Sequence, residues 1–179
     1  MELKELIEQV KKDFTKEIFK EIGVDSDDIT ENDADAISTY YLFNTKSLKH
    51  DEKLGFEWLK QGAAAGDYYC TYRLAECYHT GTGTEVDLEK FLYWYEKFYY
   101  LIEDEEISEK IAIQNGLCYM YGIGTKVDKL KAYEWFDKEG LLEKFVFDMA
   151  LECVKEKGSI KEDLETVLAI EDDPVDDEE

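Results

Sequence analysis

Residues 72–97 read YRLAECYHTGTGTEVDLEKFLYWYEK, and residues 113–138 read IQNGLCYMYGIGTKVDKLKAYEWFDK. The two segments align without a gap at an offset of 41 residues, with Cys, Tyr, Gly, Asp and Trp at matching positions. Unrelated residue types that recur at one offset indicate an internal repeat. An earlier copy lies 36 residues upstream and is weaker, because Asp51 and Trp58 recur but the turn at 45–47 has no glycine.

Each repeat unit is predicted to form two helices. In the first helix the apolar residues follow one helical stripe; they are Cys70, Leu74, Ala75 and Tyr78. Gly81 and Gly83 end this helix, and Asp87 is the expected N-cap of the next one. The second helix is predicted to bury four aromatic residues, Phe91, Trp94, Tyr95 and Phe98.

These residues resemble the Sel1-like repeat, a relative of the tetratricopeptide repeat. The matching positions of the second copy are Gly116, Tyr119, Gly122, Gly124, Asp128, Lys131, Ala132, Trp135 and Phe136. Phe91 of the first copy departs from the alanine of the family pattern, so altered helix packing is expected there. The resemblance implies an all-α fold, a right-handed α-α superhelix of the Sel1-like or tetratricopeptide-like solenoid type.

The expected domain organisation has three parts. Residues 1–33 are expected to form an N-terminal amphipathic helix, Glu2 to Ile22, and an acidic connector. The helix is expected either to cap the first repeat or to dock on a partner. The solenoid then covers residues 34–170, with a degenerate repeat at 34–66, clear repeats at 67–105 and 106–140, and a capping repeat at 141–170. The acidic tail, 171–179, holds seven carboxylates and is expected to be disordered.

The charge balance limits the classes of partner. With 21 Lys and Arg against 44 Asp and Glu, the net charge is -23. That charge argues against nucleic acids and anionic membranes as partners and favours a protein partner, which its field could attract if basic. The N-terminus has no signal-peptide pattern, so a cytoplasmic protein is expected. Its four cysteines are expected as buried thiols, and a monomer is favoured.

The sequence lacks the common motifs for catalysis, metal binding and phosphate binding. It contains no CxxC or HExxH pattern, no GxSxG and no P-loop, and neither of its histidines, His50 and His79, lies in a nucleophile–base context. We therefore expect no catalytic residue, no metal site and no cofactor.

The first helix of each pair is expected to line a concave, partner-binding face. Opposite the buried stripe lie tyrosines, charged residues and a histidine, and the offsets extend this face to the neighbouring repeats. The predicted partner-binding residues are Tyr40, Tyr69, Tyr72, Arg73, Glu76, His79, Ile113, Gln114, Leu117 and Met120. In the degenerate unit the matching positions also include Ile37 and Phe43.

Three functions remain open at this stage. The first is a non-catalytic adaptor that holds a partner protein or peptide in the groove. The second is a small acidic immunity protein that inhibits a basic toxin by direct binding, for which high acidity and small size are suited. The third is an enzyme, such as a hydrolase, which would show turnover that depends on His79 or Cys77.

Overall fold

A computed structural model describes residues 1–43, 50–138 and 140, and these form eight α-helices and one 3₁₀ helix with no β-strand. The α-helices are α1 (Leu3–Asp13), α2 (Lys16–Ile22), α3 (Ala34–Phe43), α4 (Glu52–Ala65), α5 (Tyr68–Thr80), α6 (Leu88–Tyr99), α7 (Glu105–Tyr121) and α8 (Lys129–Asp137), and the 3₁₀ helix spans Glu31–Asp33. The all-α expectation is confirmed. The predicted capping repeat, the acidic tail and the turn of the degenerate repeat lie outside the described residues.

The N-terminal segment differs from the single helix that was predicted. The chain is extended at Phe14 and Thr15, and the Thr15 hydroxyl accepts a hydrogen bond from the Ile18 amide, 3.4 Å away, at the start of α2. A threonine that caps a new helix ends the old one because its backbone is non-helical. Phe14 is buried at this break, its ring centroid 5.5 Å from that of Phe19.

Aspartates begin the second helix of each repeat, as predicted. Asp51 accepts hydrogen bonds from the Lys53 and Leu54 amides, and Asp87 and Asp128 each accept one from the amide three residues later, all at 3.0 Å. These carboxylates satisfy amides that lack a partner at a helix N-terminus. The local chemistry of the repeat therefore fixes where α4, α6 and α8 begin.

The two glycines of each turn have different tasks. Gly81 and Gly122 end α5 and α7 in the left-handed conformation. A Cβ atom at Gly83 would overlap the carbonyl of Glu52, and one at Gly124 would overlap that of Leu88. Each second glycine thus lies against the start of the preceding repeat's second helix, which explains why the Gly-x-Gly turn recurs with the repeat.

The core lies between neighbouring helices of the unit Met1–Trp135. Helix α4 packs against α1, α3, α5 and the 3₁₀ helix, whereas α6 packs against α5 and α7. Trp58 on α4 is fully buried, and the predicted stripe Cys70, Leu74, Ala75 and Tyr78 is buried as well. Among the helices that the structure describes, none is long and apolar enough to cross a membrane.

The prediction that Trp94 belongs to the core is wrong. Phe91 and Phe98 of the same helix are buried, but Trp94 and Tyr95 are only half-buried. The Trp94 ring contacts the ring of Tyr93, with centroids 5.3 Å apart, and the ammonium group of Lys97 lies 5.0 Å from it. Residue 94 therefore lies at the border of the core, where its indole is shielded partly by residues of its own helix.

Candidate functional site

Helix α5 buries one stripe against its neighbours and turns the other toward solvent. Asp67 fixes the start of the helix by accepting a hydrogen bond from the Cys70 amide at 2.7 Å. The burial of Cys70 and Leu74 then sets the rotation of the helix about its axis. As a result Tyr69 and Tyr72 are exposed, by 52% and 37%, on the opposite side.

The solvent-facing side of α5 forms an open groove together with the end of α3. This α3–α5 groove has a volume of about 510 Å³. Its lining residues are Leu42, Phe43, Tyr69, Tyr72, Arg73, Glu76, Cys77, Thr80 and Thr82. Phe43 contributes a ring that is 62% exposed, so the groove has an apolar wall open to solvent. Concave apolar surfaces with a few polar groups are typical of binding sites.

The charge of Arg73 is directed toward α3. Its Nε lies 3.5 Å from Oδ1 of Asp35, and its guanidinium group lies 5.0 Å from the centre of the Phe43 ring. The ion pair and the stacking hold the long side chain against α3. Arg73 thus positions Phe43 at the rim of the groove, and its charge is balanced by Asp35.

An aromatic cluster links the groove to α6. The Tyr72 ring lies 5.1 Å from that of Phe98 and 6.3 Å from that of Tyr95, and His79 stacks on Phe91 at 4.8 Å. Burial, and then the negative charge of Glu76, raises the pKa of Tyr72. The cluster supplies a rigid aromatic surface on one side of the Glu76 carboxylate.

The buried thiols near the groove are protonated. Burial and neighbouring carboxylates raise the pKa of Cys77 to about 11, and burial with Glu96 raises that of Cys118 to about 11. A protonated thiol is a poor nucleophile. Within residues 1–43 and 50–138, no three His, Cys, Asp or Glu side chains form a group that could hold a metal ion.

The structure brings together four of the ten predicted partner-binding residues. Tyr69, Tyr72, Arg73 and Glu76 line the groove. The other six do not line it; they are Tyr40, His79, Ile113, Gln114, Leu117 and Met120. Met120 is only 8% exposed, so it offers almost no surface to a partner. Tyr40 is half-buried, with its ring centroid 4.7 Å from that of Phe14, so it packs on the N-terminal segment.

Sequence reasoning missed four lining residues, Leu42, Cys77, Thr80 and Thr82. Cys77 is buried at the groove floor, and its recurrence in the repeat indicated only a packing role. Thr80 and Thr82 are joined by a hydrogen bond of 2.8 Å between their hydroxyls across Gly81. The sequence did point to these two residues, since Thr80 follows His79 at the end of the helix that was predicted to bind a partner, and Thr82 lies two residues further on.

The helix pairs, their aspartate caps and their glycine turns define an α-solenoid built from helical hairpins. A family model described as "Sel1 repeat" matches residues 37–67, 69–101 and 113–138. The chain therefore belongs to the Sel1 repeat family. The first of these matches covers the degenerate copy, where only Asp51 and Trp58 had carried the pattern. Sel1-repeat proteins are generally protein-interaction scaffolds.

The chain is similar to three solved structures, and the first of them supports the fold. A Sel1 repeat protein from Oxalobacter formigenes is 20% identical with a TM-score of 0.53, covering 73% of this chain and 92% of that one. The protein c5321, a protective antigen in uropathogenic Escherichia coli strains that displays an SLR fold, is 19% identical (TM-score 0.49, 78% and 33% covered). Helicobacter pylori cysteine rich protein B is 19% identical (TM-score 0.43, 64% and 91% covered). No curated protein matches the chain.

Proposed function

We propose that this protein is a non-catalytic adaptor that binds a segment of a partner protein in the α3–α5 groove. The observation that supports this most directly is the convergence of Phe43, Tyr69 and Tyr72 with Arg73 in one open groove. Exposed aromatic rings and arginine are the residues that contribute most to protein interfaces. Ile113, Gln114 and Leu117 on α7 are exposed or half-buried and extend the same proposal to the next repeat, whereas the buried Met120 is left out.

The exposed aromatic rings of the groove provide free energy for binding a partner when they are buried. Tyr69 and Phe43 keep more than half of their surface in water, although burial of such rings is favourable by about 1.5 to 3 kcal/mol each. A partner that covers them gains the part of this free energy that corresponds to their exposed surface. We therefore expect the groove to bind a preformed or extended segment of a partner protein.

The decisive experiment compares a groove variant with a surface control. Affinity purification from the source cells, read out by mass spectrometry, would supply candidate partners, and each would then be purified and titrated by calorimetry. Tyr72→Ala combined with Phe43→Ala should weaken binding by about tenfold or more. Tyr93→Ala, which removes a 50% exposed tyrosine of α6 outside the groove, should leave binding unchanged.

Two outcomes would contradict the proposal. Binding that survives both groove substitutions but is lost in Tyr93→Ala would place the interface on another face. Turnover of a substrate that disappears on changing His79 or Cys77, with the helical content preserved, would favour an enzyme.

The immunity-protein alternative is distinguished by salt. A basic toxin attracted by a charge of -23 should bind with a steep loss of affinity between low and high salt, and binding should abolish its toxic activity. An adaptor that uses mainly the aromatic groove should show a shallower salt dependence. A cytoplasmic location and a monomeric state remain predictions, which fractionation and light scattering would test.

A further inference from the structure

The two charged side chains of the groove differ in whether another side chain of the protein pairs with them. Arg73 is balanced by Asp35 on α3 and held on the Phe43 ring, as described above. Glu76, three residues later on α5, lines the same groove and is half-buried. No hydrogen bond or ion pair of the Glu76 carboxylate is found among the residues that the structure describes. Among those residues the carboxylate is therefore left without a direct partner beside the aromatic wall.

The charge of Glu76 affects the pKa values of neighbouring side chains. Tyr72, Tyr95 and Cys77 are near enough for the Glu76 carboxylate to contribute to the raised pKa of each. The nearest cation on the same helix, Arg73, is directed toward α3. Covering a half-buried carboxylate with an apolar partner would remove its water without replacing it, which is unfavourable. A positive charge on the partner replaces the lost water best, because its bond to the carboxylate is charge-assisted.

We propose that the partner segment presents a lysine or arginine to Glu76, with its alkyl or guanidinium part against the Tyr72 ring and an adjacent apolar side chain against Phe43. This inference rests on the proposed function, because it names the chemistry of the segment that the groove binds. A cation there pairs with the carboxylate and also gains a cation–π contact with Tyr72. The protein's charge of -23 attracts such a segment from a distance.

The inference can be tested without knowing the partner, using a phage-displayed library of random dodecapeptides selected on the full-length protein at physiological salt. The enriched peptides should carry Lys or Arg next to an aromatic or aliphatic residue. Each should bind Glu76→Gln about 10- to 100-fold more weakly than the parent, because the amide keeps the shape but not the charge. Glu8→Gln, which removes one exposed carboxylate from α1, is the matched control and should bind as the parent does.

The outcomes separate this inference from the proposed function. If Tyr72→Ala weakens the selected peptides but Glu76→Gln does not, the groove binds peptides and the basic-residue inference is wrong. Enriched peptides without a basic residue would overturn it in the same way. If neither substitution changes binding, or no peptide is enriched, both proposals are contradicted. Circular dichroism melts of Glu76→Gln would verify that its fold is unchanged.

Discussion

Trp94 in the second repeat is half-buried, whereas Trp135, the same position in the third repeat, is only 3% exposed. The rings of Tyr99 and Tyr100, at the end of α6, lie 5.0 and 6.1 Å from that of Trp135. At the matching positions one repeat earlier, the end of α4 carries Ala63 and Ala64. The preceding repeat thus contributes to the burial of Trp135, so the burial of this tryptophan does not depend on its own unit alone.

The largest expected effect tests this difference directly. Trp135→Ala should lower the free energy of unfolding by about 3 to 5 kcal/mol, as a large buried ring leaves a cavity. Trp94→Ala should cost no more than about 2 kcal/mol, because part of its ring is already in water. Urea denaturation followed by circular dichroism would measure both. Equal costs for the two variants would show that the aromatic cover of Trp135 has no energetic weight.

Leu74 and Asn115 are a second pair of equivalent positions, both fully buried. Leu74 is an apolar core residue. Among the residues that the structure describes, neither the Nδ2 nor the Oδ1 atom of Asn115 has a hydrogen-bond partner. A buried polar group without a partner costs about 1 to 3 kcal/mol. The third repeat therefore keeps the shape of the second at this position but loses part of its stabilisation.

Alanine substitution should separate these two positions. Leu74→Ala should destabilise by about 2 to 5 kcal/mol through lost burial and a new cavity. Asn115→Ala should change stability by less than about 1 kcal/mol in either direction, because the cavity cost is offset by removal of two unpaired polar atoms. The same urea titrations would report both values. A cost for Asn115→Ala as large as that for Leu74→Ala would mean that the amide is satisfied in solution, for example by buried water.

The sequence predicted those features that depend on residues close together in the chain. The aspartate caps and glycine turns were predicted because each depends on a hydrogen bond or a dihedral angle within a few residues. The exposure of Tyr69 and Tyr72 was predicted because helical periodicity alone separates them from Cys70 and Leu74. The exposure of Trp94 was not predicted, since it depends on which residues the preceding repeat places beside it, and that repeat has Ala63 where the next one has Tyr99.

The groove shows the same limit. Its α5 side and Phe43 on α3 were predicted, but Leu42 was not, because the α3 side depends on how two repeats pack and on the ion pair of Arg73 with Asp35. The break between α1 and α2 was missed because the apolar pattern continues through Phe14. The cap formed by Thr15 starts α2, and the Phe14 ring packs on Phe19 across the break.

The smallest difference between the repeats concerns Tyr119 and its counterpart Tyr78. The Tyr119 hydroxyl donates to Oε1 of Glu96 at 2.6 Å and accepts from Nζ of Lys131 at 2.5 Å. For Tyr78 the position equivalent to Glu96 is Lys60, on α4 of the degenerate repeat, and Lys90 pairs instead with Asp87 at 2.7 Å. Of the two repeats at 67–105 and 106–138 that the structure describes, the later one, which is the third repeat, alone has this tyrosine in a charged network.

Tyr119→Phe should cost about 1 kcal/mol at neutral pH, since it removes hydrogen bonds to partly exposed charged groups, and Tyr78→Phe should cost less. Burial and the bond to Glu96 raise the pKa of Tyr119, and the bond to Tyr119 raises the pKa of Lys131. The native state thus holds both protons more tightly than the unfolded chain. The stability that this network contributes is complete below about pH 10, near the unfolded-state pKa values of Tyr and Lys. It is lost as the pH rises through the higher folded-state pKa values of Tyr119 and Lys131. Melting temperatures of parent and Tyr119→Phe should converge above that pH, and a difference that widened there would refute this network.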